Sequence, residues 1–362
     1  MINCCKMDCS SIIFLVREVF VDRTEEQLLR TLLKSSKSLW ELINHQDGDI
    51  KHTIELLNKF KGNDLIGSDG DRIVLTEKGI AFAHEYKISS ERDFTCSYCE
   101  GTGYVVSDLF STVIDRFKEI FKERPRAIAD FDQGIVPPEV SIRRAEFVYQ
   151  RGDLENKKIF FLGDDDLTSI AMALTGLPDE IHVVEIDSRI VDYINSVADK
   201  MSLNVKAELF DVRKPLQKEL HGKFDTFLTD PVETVPGIRL FISRCVVALK
   251  GKGSAGYFGL SHYESSLKKW FGVEKDLLNT NLVITDVVRD FNKYLLVGER
   301  IIEKGFRVVK EAPFKVKAPD YPWYRSTFFR VELVGEPHPL ITEEVEWERE
   351  LYFDEDTYVA LP

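Results

Sequence analysis

The chain has 362 residues, 44% of them hydrophobic and 30% charged, enough for one sizeable α/β core and a smaller module. A formal net charge of -13 argues against a general nucleic-acid binder, which gathers Lys and Arg to neutralise phosphates, and favours cationic ligands. No run of about 18 apolar residues occurs, and the run from Ile12 to Val16 is too short for a signal-peptide core, so a cytoplasmic protein without a membrane span is expected.

From Thr24 to about Ala83 apolar residues recur at helical spacing (Leu28, Leu29, Leu32, Leu33; Leu39, Leu42, Ile43; Ile54, Leu56, Leu57), followed by a hairpin-like stretch from Leu65 to Leu75. This pattern resembles a winged helix, assigned to residues 1–93. Its candidate recognition stretch, Asp49 to Lys59, has no basic excess, and the wing tip carries Asp69 and Asp71. Both features point away from DNA.

Residues 94–135 read as a linker with a helix from Val105 to Glu123, and contain Cys96-Ser97-Tyr98-Cys99 followed by glycines. A CxxC pair can ligate zinc or iron, but a tetrahedral structural site needs four ligands; Cys4, Cys5 and Cys9 are the candidates to complete it. The alternative is a loop with two reduced thiols.

Residues 136–340 begin with a helix from Val140 to Arg151 and then alternate. Strands are expected at Ile159–Leu162, Ile181–Ile186, Ala207–Phe210 and Phe224–Leu228, and helices at Thr168–Leu174, Ser188–Met201 and about Gly237–Leu249. This rhythm predicts a Rossmann-like, largely parallel sheet with ligands at the carboxyl ends of its strands. Further strands are expected at Gly253–Leu260, Leu282–Val288, Phe306–Lys310 and Ser326–Val334. Residues 341–362 are acidic and poorly periodic, and read as a mobile tail.

The chemistry is concentrated at Gly163-Asp164-Asp165-Asp166, between the first strand of the alternating domain and a helix. Nucleotide-phosphate turns at that place are glycine-rich, so that amides and a helix N-terminus approach phosphate oxygens. Three carboxylates there repel phosphate and favour a cation, as in a sulfonium nucleoside. Decarboxylated S-adenosylmethionine, which carries a sulfonium and an ammonium but no carboxylate, fits better than the parent compound. The bland counterpart is helix capping, which accounts for one aspartate of the three.

Glu185 ends the second strand, where an acidic residue accepts hydrogen bonds from ribose hydroxyls. Asp211 follows the third strand and is a candidate for the adenine amino group; Asp230, before Pro231, sits at the edge of the fourth and should face the same crevice as Asp166. Tyr257, Phe258, His262 and Glu264, around a glycine-rich strand end, are candidates to line a channel for a second substrate.

The aspartate tetrapeptide after a strand, together with the winged-helix-like N-terminus, resembles the branched-chain polyamine synthases of thermophilic archaea and bacteria over nearly the whole chain. The resemblance implies an aminopropyltransferase that uses decarboxylated S-adenosylmethionine as co-substrate, alkylates the internal amine of spermidine and releases methylthioadenosine. It implies Asp166 as the base, with Asp230 as its rival. By the resemblance Asp164 and Asp165 help to hold the cationic substrates; Gly163, Glu185, Asp211 and Glu264, from their places at the strand ends, complete the expected binding set, and a homodimer is the expected assembly. The runner-up is an S-adenosylmethionine-dependent amine methyltransferase. Its acidic-proline loop normally continues with a second proline and an aromatic residue, where this chain has Val232 and Glu233. A third reading is a DNA-binding regulator with a nucleoside-sensing domain, which the missing basic helix disfavours.

Overall fold

The computed structural model describes residues 21–92, 95–128, 134–346 and 348–359. Its first module consists of α1 (Arg23–Lys34), α2 (Leu39–Asn44), α3 (Ile50–Gly62), the antiparallel hairpin β1 (Ile66–Asp69) and β2 (Arg72–Leu75), and α4 (Glu77–Glu85). The caps explain its boundaries. Asp22, Asp49 and Thr76 each accept a first-turn amide, and Ser38 forms a reciprocal capping box with Glu41. Gly70, at φ 62°, supplies the left-handed residue of the hairpin tip.

After α5 (Asp108–Lys122) and α6 (Pro138–Gln150), the alternating region runs β3 (Lys158–Leu162), α7 (Thr168–Ala173), β4 (Glu180–Glu185), α8 (Ser188–Met201), β5 (Val205–Leu209), β6 (Thr226–Thr229), α9 (Val235–Ala248) and β7 (Ala255–Leu260). It ends with α10 (Leu267–Asn279), β8 (Leu282–Lys293), the short helices α11 (Arg300–Glu303) and α12 (Arg307–Lys310), and β9 (Arg325–Leu333). The seven-stranded sheet has the order β5-β4-β3-β6-β7-β9-β8; the first five strands in that order are parallel, and β9 pairs antiparallel with both β7 and β8. The expected α/β class with a mostly parallel sheet is therefore present.

Strand alternation splits the core between the two faces of the sheet. Ile159 and Phe161 of β3 pack toward α6, α7 and α8, while Phe160 and Leu162 pack toward α9 and α10. The chain leaves β3 toward β4 and β5 and returns on the other side at β6, so β3 and β6 flank the topological switch point.

Two expectations are corrected. Phe306–Lys310 is not a strand, because Arg307 pairs with Glu311 one turn on at 2.7 Å and Val308 is buried in the core of the first module. The tail is not free. Arg244 donates to the Ile341 and Glu343 carbonyls, Thr234 to the Leu351 carbonyl, Lys269 pairs with Asp354 at 2.8 Å, and Tyr358 is buried. Its acidic residues find cations on the body of the protein, a long-range pairing that local sequence pattern does not carry.

The first module shares one hydrophobic cluster with Ile301, Phe306, Val308, Trp323 and Tyr358. The Trp40 ring lies 4.5 Å from that of Trp323, tilted by 41°, and its indole N–H donates to the Lys317 carbonyl. Among the described residues no helix is long and apolar enough to cross a membrane.

Candidate active site

The turn after β3 is set by Gly163 at φ 78°, and Leu167 holds the left-handed conformation (φ 53°) at the entry to α7. A branched residue at positive φ is a strained choice of the kind that gathers at functional sites. The three aspartates of the turn point to different tasks. Asp164 is buried and turns both carboxylate oxygens to the Ser169 amide, 3.2 Å each, so it caps α7. Asp165 is half-buried; its carbonyl accepts from Arg124 at 2.8 Å, while Oδ2 has no hydrogen-bond partner among the described residues. Asp166 is 3% exposed and faces the switch point.

Asp166 Oδ1 accepts the Val136 amide at 2.8 Å, and Oδ2 accepts Arg144 Nη1 at 3.1 Å. The second terminal nitrogen of Arg144 reaches Asp230 Oδ2 at 3.1 Å, and its Nε donates to Asn292 Oδ1 at 2.8 Å. One guanidinium from α6 thus bridges the carboxylates delivered by β3 and β6, using the planar fork that only arginine offers. Tyr294, beyond β8, donates its hydroxyl to Asp230 Oδ2 at 2.7 Å; Ser326 of β9 lies 3.1 Å from that hydroxyl and accepts from Asn292 at 2.9 Å. Gly259 makes this approach possible, since a Cβ there would stand 2.3 Å from Asp230 Oδ1.

Burial pushes Asp166 up to about 6, against the pull of Arg144. Burial also raises Asp164 and Asp165 well above the usual carboxylate range. Arg144 is stabilised as a cation because Asp230 and Asp166 outweigh its burial.

Glu185 ends β4 with Oε2 on the Asp164 amide and Oε1 on the Asp187 amide, both 2.9 Å, and burial raises it above its ordinary value. Asp211 lies beyond β5 at the sheet edge, clasped by Arg213 at 2.5 Å. Asp164, Asp165, Asp166, Glu185 and Asp230 are thus gathered around the carboxyl ends of β4, β3 and β6, with Asp211 farther out.

Beyond β7, Glu264 Oε2 accepts from Tyr324 at 2.8 Å, and its Oε1 accepts the amides of Tyr358 and Val359 in the tail. Glu233, three residues after Asp230, accepts the Ser261 amide at 2.6 Å. Of the other residues expected near this strand end, Tyr257 and Phe258 are buried in the sheet core, Tyr257 bonding Asp153, and His262 is buried with its ring 4.1 Å from that of Tyr263. Tyr257 and Phe258 are packing residues, since β7 is covered on both faces.

Cys96 and Cys99 form a tight turn in which the Cys99 and Tyr98 amides lower the Cys96 thiol from its ordinary value. Among the described residues no third His, Cys, Asp or Glu joins them to make a metal-binding group, and Cys4, Cys5 and Cys9 lie outside the described residues.

Arg144, Asn292, Tyr294 and Glu233 were not singled out from the sequence. Arg144 carried a signal: Val140, Arg144 and Val148 share one buried stripe of α6, and a charge on an apolar stripe requires a partner. Asn292 lies near the end of β8 and Tyr294 just beyond it, and nothing local marks them.

Residues 112–359 match the family model described as Branched-chain polyamine synthase A C-terminal domain. The N(4)-bis(aminopropyl)spermidine synthase of Thermococcus kodakarensis is 39% identical over 338 residues, 93% of this chain and 94% of that protein. The enzyme of the same name from Methanocaldococcus jannaschii is 39% identical over 339 residues, again covering 93% and 94%. Among solved structures, the branched-chain polyamine synthase of Thermus thermophilus, in complex with N4-aminopropylspermidine and 5'-methylthioadenosine, superimposes with a TM-score of 0.82 at 34% identity, covering 93% of both chains. The aspartate turn, the switch-point crevice and these similarities together place the chain in the branched-chain polyamine synthase family.

Proposed function

We propose that this chain moves aminopropyl groups from decarboxylated S-adenosylmethionine to the internal amine of spermidine, giving N(4)-bis(aminopropyl)spermidine and methylthioadenosine. The observation that carries the reading is the pair Asp166 and Asp230, bridged by one buried guanidinium across the switch point, in a crevice whose carboxylates outnumber its cations.

The donor lies over the carboxyl ends of β3, β4 and β5. Glu185 takes the ribose hydroxyls, Asp211 the adenine edge, and the Gly163 turn lets the nucleoside approach the backbone. Asp165, whose Oδ2 has no partner among the described residues, holds a cationic centre of the donor or acceptor. The acceptor lies between Asp166, Asp230 and Glu264.

In the first transfer the nitrogen lone pair forms a bond to the propyl carbon next to sulfur. The C–S bond breaks with its electrons going to sulfur, and the amine proton passes to Asp166. The sulfonium is already a good leaving group, so positioning and proton removal are what the protein supplies. In the second transfer the acceptor nitrogen is tertiary, so Asp166 removes its proton before attack and the product is a quaternary cation. At neutral pH, Asp166, at about 6, is ionised and able to accept.

The first module is a winged helix used as a buttress rather than a DNA reader. The helix in the recognition position, α3, is tied to the catalytic region: its Asn58 and Lys61 donate to the Glu311 and Pro313 carbonyls, and the Ile50 amide to the Tyr263 carbonyl.

Mass spectrometry of products from spermidine with decarboxylated or ordinary S-adenosylmethionine tests the reading. Mass gains of one and two aminopropyl units with the decarboxylated donor alone are expected. Methylation by the ordinary donor would move the assignment to an amine methyltransferase.

A further inference from the structure

The acidic groups of the crevice fall into two sets, and only one set is neutralised. Asp166 and Asp230 share Arg144. Glu233 and Glu264 share a single neutral donor: the Tyr324 hydroxyl lies 2.8 Å from Glu264 Oε2 and 3.4 Å from Glu233 Oε2. One hydroxyl carries one hydrogen, which goes to the nearer oxygen, Glu264, and leaves Glu233 Oε2 without a good donor among the described residues.

The neighbouring ammonium does not fill the gap. Lys269 has three N–H groups, which go to the Glu233 carbonyl at 2.8 Å, the Glu264 carbonyl at 2.5 Å and the Asp354 carboxylate. It braces the backbones of both glutamates without reaching either carboxylate. Burial, with Glu264 beside it, pushes Glu233 well above the usual carboxylate range, the response of an acid that lacks its cation. Among the described residues no cluster of three or more His, Cys, Asp or Glu that could hold a metal occurs, so a metal ion is a poor candidate for that cation.

The gap lies along the crevice from the reacting centre. Tyr294 bonds Asp230, its ring packs edge-on against Tyr324 at 5.7 Å, and Tyr324 bonds Glu264, so two aromatic rings connect the neutralised pair to the unneutralised one. Aromatic walls suit methylene chains, and a carboxylate at the far end suits an ammonium.

We propose that Glu233 is the acceptor's second anchor: its free carboxylate oxygen takes the terminal ammonium of one arm of the polyamine while the internal nitrogen sits at Asp166. This rests on the aminopropyltransferase reading and extends it to a residue that sets which amines are accepted. Anchoring an arm at a fixed distance from Asp166 makes an internal nitrogen, and not a terminal one, the nucleophile.

A chemical double-mutant cycle tests it. Wild type and Glu233→Gln are assayed with spermidine and with two analogues in which the amine at the end of one arm is replaced by hydrogen, N-butylpropane-1,3-diamine and N-propylbutane-1,4-diamine. Loss of the anchored amine should raise the wild-type acceptor KM roughly 10- to 100-fold, and Glu233→Gln should raise the KM for spermidine by a similar factor. For the analogue lacking that amine, the variant should show no further loss, and the donor KM should stay within about twofold. Losses that multiply for both analogues, or an unchanged KM for spermidine, overturn the proposal. Glu233→Asp and calorimetric binding of the same amines to wild type supply the answer if Glu233→Gln fails to fold. Wild-type transfer to spermidine is scored first, so failure of the aminopropyltransferase reading shows as no product and is distinct from failure of the anchor.

Discussion

Two pairs of carboxylates lie a few residues apart and are handled in opposite ways. Asp166 and Asp230 are locked by a buried arginine, an amide, a tyrosine and, through that arginine, an asparagine. Glu233 and Glu264 are held by backbone amides and a tyrosine, with no cation on their oxygens among the described residues. A base must keep its geometry through turnover and stay ionised near neutral pH, which requires a permanent counter-ion. A binding site for a cation does best when that counter-ion is missing, because the ligand then supplies it. Chemistry and affinity are thus assigned to different pairs.

The largest effect expected is at the locked pair. Asp166→Asn keeps shape and most hydrogen bonds while removing the proton acceptor, so kcat should fall about 10³-fold with little change in the spermidine KM. A parallel fall in binding alone would show that the two pairs do not divide the work. Next is the bridge: Arg144→Met leaves Asp166 and Asp230 facing each other without a cation and should cost about 3–5 kcal/mol in thermal unfolding. Arg144→Lys, which cannot reach both carboxylates as a fork, should recover only part of that.

How much of this was legible in the sequence follows from which contacts are local. The parallel sheet was readable because β3 to β7 are short apolar runs separated by helical ones, and the aspartate turn stood out because carboxylates replace glycines where phosphate would bind. Asp164 as a helix cap was within reach for the same reason, being settled within five residues by the Ser169 amide. The short helix α12 was misread as a strand because Val308 and Val309 favour β structure, while the Arg307–Glu311 pair and burial against the first module decide otherwise. Tyr294, Asn292 and the docked tail were not readable, since the contacts of Tyr294 with Asp230, Asn292 with Arg144 and Leu351 with Thr234 each span more than 60 residues.

A smaller perturbation asks how finely the locked pair is placed. In Gly259→Ala the new methyl would overlap Asp230 Oδ1, so Asp230 must shift and loosen Arg144. A displacement of about 1 Å at a reacting centre costs about 100-fold in rate, and kcat should bear it. The pH profile probes the same pair without mutation. Asp166 must be ionised to accept a proton, so kcat/KM should fall tenfold per pH unit below about 6 and level off above it. In the Asp166→Asn variant that acid limb should disappear from the residual rate.

The smallest effect separates the two pairs most cleanly. Tyr324→Phe removes one hydroxyl from Glu264, which keeps the amides of Tyr358 and Val359, and takes away the weak contact to Glu233. Loss of one such hydrogen bond is worth about 1 kcal/mol, so the spermidine KM should change only a few-fold while kcat holds. Tyr294→Phe removes an equivalent hydroxyl from Asp230, and there the change should fall on kcat. If both variants alter the same parameter, the two carboxylate pairs act as one site; if they split between KM and kcat, the presence of Arg144 at one pair and its absence at the other is what distinguishes catalysis from capture.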